Sequence, residues 1–367
     1  MPFKAIGGFR MAGASTHASR ASLALIAVLL AALLACAHSA PAVASTVTSA
    51  AGQSPAEVRD YWTPGRMRGA EEAQEPEAAR PAREPAPSYD PADASYVPAD
   101  GQPAAMRSGT PKPSSSGLPV GVDRREVTDP AADDVRMHGK VFFTIPSGPQ
   151  AGDRVCSGTV VNSRNRSVVW TAGHCVFDLD SGSSFATNWM FVPGFSADGE
   201  PYGEWPAKRL ATTSGWKTSS NFRYDIGAAV VTKNAAGQRL QEVVGARGIG
   251  FDQPRDQRYS AYGYPAEGNP IEFTGDREYR CLSESEGSDA PIGSGPATMA
   301  IACDMLGGAS GGGWIAGKTL LSTTSYGYLI EPNRLYGPYL STSAKALYKN
   351  VAGKRKKKKG SKGGKGR

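Results

Sequence analysis

Residues 303–314 have the sequence CDMLGGASGGGW, in which one serine, Ser310, is surrounded by glycines. The stretch follows an apolar run, Thr298–Ala302, that is typical of a strand. Glycine allows backbone conformations that a side chain forbids, so such a turn leaves the hydroxyl uncovered and lets neighbouring N–H groups point to one place. An accessible nucleophile and backbone donors for an oxyanion are the two needs of an acyl-transfer site. The alternative is a flexible Gly-rich turn with an incidental serine.

Candidate partners for this serine lie upstream. The segment VVWTAGHC, residues 168–175, predicts a buried strand that ends in a turn carrying His174. His138 is the other histidine after residue 44, and its charged surroundings predict a solvated side chain, so His174 is the candidate general base. Asp225 precedes the apolar run Ile226–Thr232. An acid at the start of an apolar strand is expected to be partly buried, so it needs a hydrogen-bonding or charged partner. The alternative interpretation is that Asp225 has a turn or capping role.

The three candidates occur in the order His174, Asp225, Ser310, which is that of chymotrypsin-type peptidases. Four blocks carry a wider resemblance: CSGTVV at 156–161, TAGHC at 171–175, YDIG at 224–227 and GGASGG at 307–312. On these blocks, residues 137–352 resemble the secreted bacterial trypsin-like (chymotrypsin-family) serine peptidases, nearest the glutamyl endopeptidase-like branch. The resemblance implies an all-β fold of two six-stranded antiparallel β-barrels packed together, with a C-terminal helix.

The resemblance also implies a role for each site residue. Ser310 would attack the peptide carbonyl, His174 would carry the proton, and Asp225 would orient the imidazole. The oxyanion hole would be the N–H groups of Gly308 and Ser310. The segment that would pair with the substrate backbone is Ser325, Tyr326 and Gly327.

Two positions depart from relatives of known specificity, and a third matches the spacing of one such relative. Ala309 stands where trypsins carry the aspartate that binds a newly cut N-terminus, so any activation by proteolysis is predicted to remove an inhibitory pro-segment instead. Thr324 stands where glutamyl endopeptidases of this type often carry a histidine, which argues against a glutamate preference. Asp304 lies six residues before Ser310, the trypsin spacing of the specificity acid, and predicts cleavage after Arg or Lys.

The cysteines predict disulfide bonds. Cys36 falls in an apolar N-terminal run, and the remaining four are Cys156, Cys175, Cys281 and Cys303. Four cysteines in an exported protein allow three pairings, of which the neighbour pairing closes the shortest loops. A zinc site is the alternative, but only two histidines remain and no Cys-x-x-Cys occurs, so no metal or cofactor is expected.

Composition divides the 367 residues into four parts. Residues 1–44 predict a signal peptide, because basic residues precede an apolar run that ends in Ala42-Val43-Ala44, a fitting cleavage site. The alternatives are a membrane anchor and a lipoprotein acylated at Cys36. Residues 45–136 are rich in Ala, Pro and Glu and predict a disordered pro-segment or linker.

Residues 137–352 are predicted to form the peptidase domain. Short apolar or alternating runs, separated by Gly, Pro, Asn, Asp and Ser, predict an all-β barrel pair. Thr342–Val351 predicts a helix that ends at Gly353. Asp178 and Asp180 are weak candidates for calcium, since a short acidic pair is more often a surface loop.

Residues 353–367 form a basic tail that is predicted to be disordered. Of the 41 Lys and Arg, nine lie in the last fourteen residues and three in the first 44. Neither of these two segments contains an acid, so the rest of the chain holds more acids than bases. The net charge of +7 is therefore no sign of a nucleic-acid-binding fold, and no specific nucleic acid partner is expected.

The prediction is a secreted, monomeric serine endopeptidase acting on protein or peptide substrates. The alternative function is a non-catalytic binding or adhesion protein on the same fold. In that case the Lys-rich tail would attach the protein to anionic cell-wall or membrane surfaces.

Overall fold

The apolar runs of the sequence form strands in a computed structural model that describes residues 45–73, 90–99, 121–179, 183–267 and 273–353. The predicted signal peptide, Asp180 and the Lys-rich tail lie outside these described residues. None of the helices within the described ranges is long and apolar enough to cross a membrane.

The strands are numbered in chain order. They are β1 Thr46–Ala50, β2 Glu71–Glu72, β3 Ser95–Val97, β4 Asp123–Glu126, β5 His138–Ile145, β6 Gly152–Val161, β7 Val168–Thr171, β8 Phe177–Asp178, β9 Ser184–Phe185, β10 Thr187–Pro193, β11 Trp205–Thr213, β12 Gly227–Val231, β13 Gly248–Phe251, β14 Tyr259–Gly263, β15 Tyr279–Ser283, β16 Ser285–Asp289, β17 Thr298–Ala302, β18 Gly313–Ala316, β19 Thr319–Thr323, β20 Tyr326–Gly327 and β21 Arg334–Gly337. The helices are α1 Pro55–Tyr61, α2 Pro64–Gly69, α3 Ser214–Ser219, α4 Leu240–Val244 and α5 Thr342–Val351, with one 3₁₀ turn at Phe222–Tyr224.

Six strands of the first half close into an antiparallel barrel in the order β5, β6, β7, β12, β11, β10. Closure leaves each strand of the barrel paired on both sides. β7 and β12 are antiparallel neighbours, with Thr171 opposite Gly227. His174 follows the end of β7 and Asp225 precedes the start of β12, so the pairing brings both residues to the same end of the barrel.

Six strands of the second half surround one core but form two hydrogen-bonded sheets. β14, β15, β18 and β19 belong to one sheet, and β17 and β21 belong to the other. Their shared core takes side chains from all six strands: Ala261, Cys281, Ile301, Trp314, Leu321 and Leu335. This shared core confirms the predicted second barrel, and Ser310 lies in its β17–β18 loop. The predicted C-terminal helix is confirmed as α5.

The prediction that residues 45–136 are disordered is wrong for the parts that the structure describes. β1 pairs with β11 of the first barrel, β3 pairs with β13, and β4 pairs with β15. Val58 of α1 and Trp62, which follows its end, are 1% and 2% exposed and pack with Phe142 and Phe195 of the first half. The segment buries too little of its own surface to fold alone, but the barrels supply edges and apolar surface that complete it.

Two disulfide bonds confirm the neighbour pairing. Cys156 on β6 is joined to Cys175, and Cys281 on β15 is joined to Cys303. The first bond ties the turn that carries His174 to the barrel wall. The second lies directly before Asp304, at the start of the Ser310 loop.

Candidate active site

His174 and Asp225 are linked by two hydrogen bonds. The His174 backbone N–H donates to Asp225 Oδ1 at 2.8 Å, and the His174 ring nitrogen Nδ1 lies 2.8 Å from Oδ2. A carboxylate accepts only, so Nδ1 carries the proton in this pair and Nε2 is the basic nitrogen. Asp225 therefore fixes both the backbone and the ring of His174.

Asp225 is held in turn by the second half of the molecule. Ser325 Oγ donates to Asp225 Oδ2 at 2.6 Å, and the aspartate is fully buried. A buried carboxylate is costly unless it is hydrogen-bonded, and these three donors meet that need. Ser325, which the sequence assigned to substrate binding, thus also supports the histidine–aspartate pair.

The loop before Ser310 is shaped by backbone contacts. Gly308 has φ +87°, and a Cβ there would lie 2.6 Å from the carbonyl oxygen of Tyr264, so only glycine fits. The carbonyl oxygen of Gly307 accepts from the Ala266 N–H at 2.7 Å. In a trans peptide the N–H points away from its carbonyl, so the Gly308 N–H points away from Ala266.

The structure brings Ser310 to the turn that carries His174. The Ser310 carbonyl oxygen accepts from the Ser157 N–H at 2.7 Å and lies 3.7 Å from Cys175 Sγ. The same sulfur lies within 4.8 Å of a ring nitrogen of His174. The Cys156 and Cys175 sulfurs near this ring are joined to each other, so they offer no thiolate ligand for a metal.

Ser157 was not predicted from the sequence as a site residue. Its N–H binds the Ser310 carbonyl, and its Oγ donates to the Gly308 carbonyl at 2.8 Å while accepting from the Tyr264 N–H at 2.9 Å. It lies next to Cys156 within the CSGTVV block, which was the only signal that could have found it. Ser157 therefore fastens the Ser310 loop to the first barrel.

The predicted substrate-binding segment lies at a sheet edge. β20, which holds Tyr326 and Gly327, is the last strand of its sheet, and among the described strands it pairs with β21 alone. Its free side is therefore a template for an extended peptide. Tyr326 is buried, and its hydroxyl donates to Asp289 at 2.6 Å, which anchors the edge from behind.

Asp304 does not lie free at the bottom of a pocket. Its Oδ2 forms an ion pair with Arg124 of β4, and the two side chains are 2% and 7% exposed. The Arg124 guanidinium also lies 4.8 Å from the Phe273 ring. The predicted role of Asp304 in binding Arg or Lys side chains does not fit this contact, because a cation already neutralises it. The sequence missed the pair since Arg124 lies in the segment taken as disordered.

His138 is buried rather than solvated, contrary to the sequence prediction. It opens β5, stacks on Tyr262 with ring centroids 4.0 Å apart, and shares a hydrogen bond with Thr159 Oγ1 at 2.9 Å. Burial and the neighbouring Arg247 guanidinium hold the pKa of His138 well below its ordinary value. A neutral histidine in the core leaves His174 as the candidate base.

The fold and the site define a trypsin-like protein with a serine, a histidine and an aspartate gathered at one end of a closed barrel. Similar solved structures include the protease Anisep from Arthrobacter nicotinovorans, at 35% identity and a TM-score of 0.55, which covers 62% of this chain and 99% of that one. A thermostable serine protease, AL20, is 39% identical with a TM-score of 0.54, and the match covers 60% of this chain and 99% of that one. The chain belongs to the trypsin-like serine peptidases, near the glutamyl endopeptidase branch.

Two curated relatives match over shorter stretches. The glutamyl endopeptidase of Bacillus licheniformis is 35% identical over 106 residues, 29% of this chain and 29% of that protein. The extracellular metalloprotease of Bacillus subtilis is 30% identical over 112 residues, 30% of this chain and 34% of that protein. The matched stretch thus spans about a third of the length of these relatives. The chain matches no known family model.

Proposed function

We propose that this chain is a secreted serine endopeptidase that hydrolyses peptide bonds through Ser310, His174 and Asp225. The observation that carries the proposal is the buried carboxylate of Asp225, which holds the backbone N–H and Nδ1 of His174 at 2.8 Å each, beside the Ser310 loop. On this fold such an arrangement sets an imidazole as the base for a nucleophilic serine.

The reaction proceeds by acyl transfer. Ser310 Oγ bonds to the peptide carbonyl carbon while His174 Nε2 takes its proton, and the N–H groups of Gly308 and Ser310 donate to the oxyanion. The C–N bond then breaks, and His174 gives the proton to the leaving amine. Water attacks the acyl-enzyme by the same route in reverse and frees the serine. Asp225 stays ionised and stabilises the imidazolium.

Substrate binding is assigned to the free edge of Ser325–Gly327, which would add the substrate as a further strand. Asp304 forms an ion pair with Arg124, so we propose that basic side chains before the cut are not preferred. Thr324 is fully buried and its Oγ1 accepts from Trp314 Nε1 at 3.0 Å. It offers no charge to a glutamate side chain.

An extracellular location is supported by two disulfide bonds, which persist in oxidising compartments. One relative carries the word extracellular in its name. The adhesion function gains no support from the described residues, since the Lys-rich tail lies outside them.

Hydrolysis of a mixed peptide library tests the proposal. The purified protein is assayed before and after limited digestion by immobilised trypsin, which is then removed. We expect the wild type to cleave internal peptide bonds, Ser310→Ala to cleave none, and the exposed-serine control Ser219→Ala to match the wild type. A wild type that cleaves nothing in either form, while folded, would overturn the proposal.

A further inference from the structure

One buried carboxylate binds two tyrosines of the segment that forms the free sheet edge and the residues just after it. Asp289 is the last residue of β16 and is 1% exposed. Its Oδ2 accepts from the hydroxyls of Tyr326 and Tyr328 at 2.6 Å each, and its Oδ1 accepts from the Ala290 N–H at 2.8 Å. Thr298 Oγ1 lies 2.7 Å from the Tyr326 hydroxyl oxygen as well. Hydrogen bonds to a carboxylate are the stronger kind, so this cluster holds both tyrosines at fixed positions.

The strand that carries the free edge is short. β20 has two residues, and its register pairs Tyr326 with Tyr336 and Gly327 with Leu335 of β21. Strands are usually about 3–10 residues long, so side-chain contacts matter more here for where the backbone lies. The Tyr326 ring stacks on Tyr336 with centroids 5.1 Å apart and lies 4.6 Å from the Phe222 ring. The rings fill the space behind the edge, and the hydroxyl contacts with the carboxylate fix their depth.

The residues of the proposed triad are anchored by other contacts. Ser325, which supports the aspartate of that triad, has its own anchor, because its N–H donates to the Tyr336 carbonyl at 2.9 Å. The loop that follows Asp289 is also held separately, since the Arg223 guanidinium donates to the Pro291 carbonyl at 3.0 Å. Loss of the Asp289 carboxylate should therefore loosen the edge while the triad keeps its hydrogen bonds.

We propose that Asp289 is a positioning residue for extended substrates, which holds Tyr326 and Tyr328 so that the free edge of β20 is in place to pair with the residues before the cut. The inference rests on the proposed function and specifies the class of substrate that depends on this carboxylate. A fixed edge binds more tightly, because less conformational entropy is lost there when the substrate pairs. Peptides long enough to pair with β20 gain from it, whereas the ester of a single residue does not.

Two substrates with the same residue before the cut test the inference. One is a blocked tetrapeptide nitroanilide taken from the library experiment, and the other is the blocked nitrophenyl ester of its last residue alone. In Asp289→Asn an amide offers one acceptor oxygen and one donor nitrogen where the carboxylate offers two acceptors. For the full chain, with and without limited trypsin digestion, we expect the ratio of kcat/KM for the tetrapeptide to that for the ester to fall at least about tenfold. The fall should come mainly from a higher KM for the tetrapeptide.

A second variant and a control accompany Asp289→Asn. Tyr328→Phe removes one hydroxyl and keeps the ring, so it tests the same contact if the first variant does not fold, and we expect a smaller fall of the same ratio. Tyr348→Phe is the matched control on α5, where the hydroxyl donates to the Asn162 carbonyl at 2.7 Å. It should leave the ratio unchanged. Thermal unfolding shows whether each variant is folded.

The outcomes separate the positioning role from the proposed function. Equal losses for the two substrates in folded variants would overturn the inference, because the carboxylate would then act on the fold or the triad alone. An unchanged ratio with unchanged rates would overturn it as well, and in both cases the peptidase stands because the wild type cleaves. If the folded wild type cleaves neither substrate in either form, the proposed function itself fails and the inference falls with it.

Discussion

The two halves of the molecule each bury an aspartate beside the site, and they treat it differently. Asp225, at the end of the first barrel, is 0% exposed and receives donors from His174 and Ser325. Asp304, at the start of the Ser310 loop, is 2% exposed and forms an ion pair with Arg124, while its Oδ1 has no hydrogen-bond partner among the described residues. Both aspartate side chains are almost completely buried, so it is their hydrogen-bond and ion-pair partners that decide the role of each acid.

The largest effect is expected at Asp225. Asp225→Asn keeps the shape of the side chain but removes the acceptor that selects the His174 tautomer, and kcat/KM for a peptide should fall by about 10⁴-fold. The unfolding midpoint of the variant serves as the control for folding. A loss smaller than about tenfold would mean that the aspartate in the first half is structural, like the one in the second.

Arg124→Met tests the opposite role of Asp304. Removing one partner of a buried pair leaves an uncompensated charge, so the free energy of unfolding in urea should fall by about 3–5 kcal/mol. The unpaired acid should also begin to favour Arg or Lys before the cut in a peptide library. Arg125→Met, on the same strand at a side chain that is 29% exposed, should cost about 1 kcal/mol or less. An unchanged free energy of unfolding in Arg124→Met would show that the Arg124–Asp304 ion pair does not stabilise the fold.

Lys140 extends the comparison to a buried cation. Its Nζ donates to the Gly275 carbonyl at 2.9 Å and lies about 5 Å from the Phe142 and Phe195 rings. Burial lowers the pKa of Lys140 from 10.5 to about 8. Between these values the unfolded chain binds a proton that the folded chain does not, so the free energy of unfolding rises with pH, by about 3 kcal/mol.

Urea unfolding at about pH 7.5 and about pH 10.5 measures this rise. Lys140→Met should lack it, and the difference between the two proteins isolates the lysine from the tyrosines that titrate in the same range. An identical pH dependence in both proteins would contradict the lowered pKa.

Ser325→Ala is expected to have the smallest effect. It removes one donor from Asp225 and leaves both bonds to His174, so the loss corresponds to one charge-assisted hydrogen bond, about 1.5–3 kcal/mol. The value of kcat/KM should fall about tenfold to a hundredfold. A fall as large as that of Asp225→Asn would mean that the bond from the second half is what holds the pair together.

Much of the site could be predicted from the sequence because its residues lie in short blocks of unusual composition. The TAGHC and GGASGG blocks placed His174 and Ser310, and the neighbour pairing of cysteines is confirmed. β11 was missed because Lys208 and Arg209 interrupt its apolar run, although the residues on both sides of them are buried.

Contacts between distant segments could not be predicted in the same way. Arg124 and Asp304 are 180 residues apart in the chain. No local sequence pattern identifies a side chain whose ion-pair partner lies in so distant a segment. Residues 45–136 were predicted to be disordered because their own apolar residues are few. Val58 and Trp62 become buried only because Phe142 and Phe195 of the first half pack against them.

The proposed triad is tested most directly by mapping the residue that a fluorophosphonate modifies before and after limited digestion by immobilised trypsin. We expect one adduct, on Ser310, formed rapidly in the wild type and slowed in His174→Ala. An adduct on another residue, or none in a protein that stays folded, would contradict it.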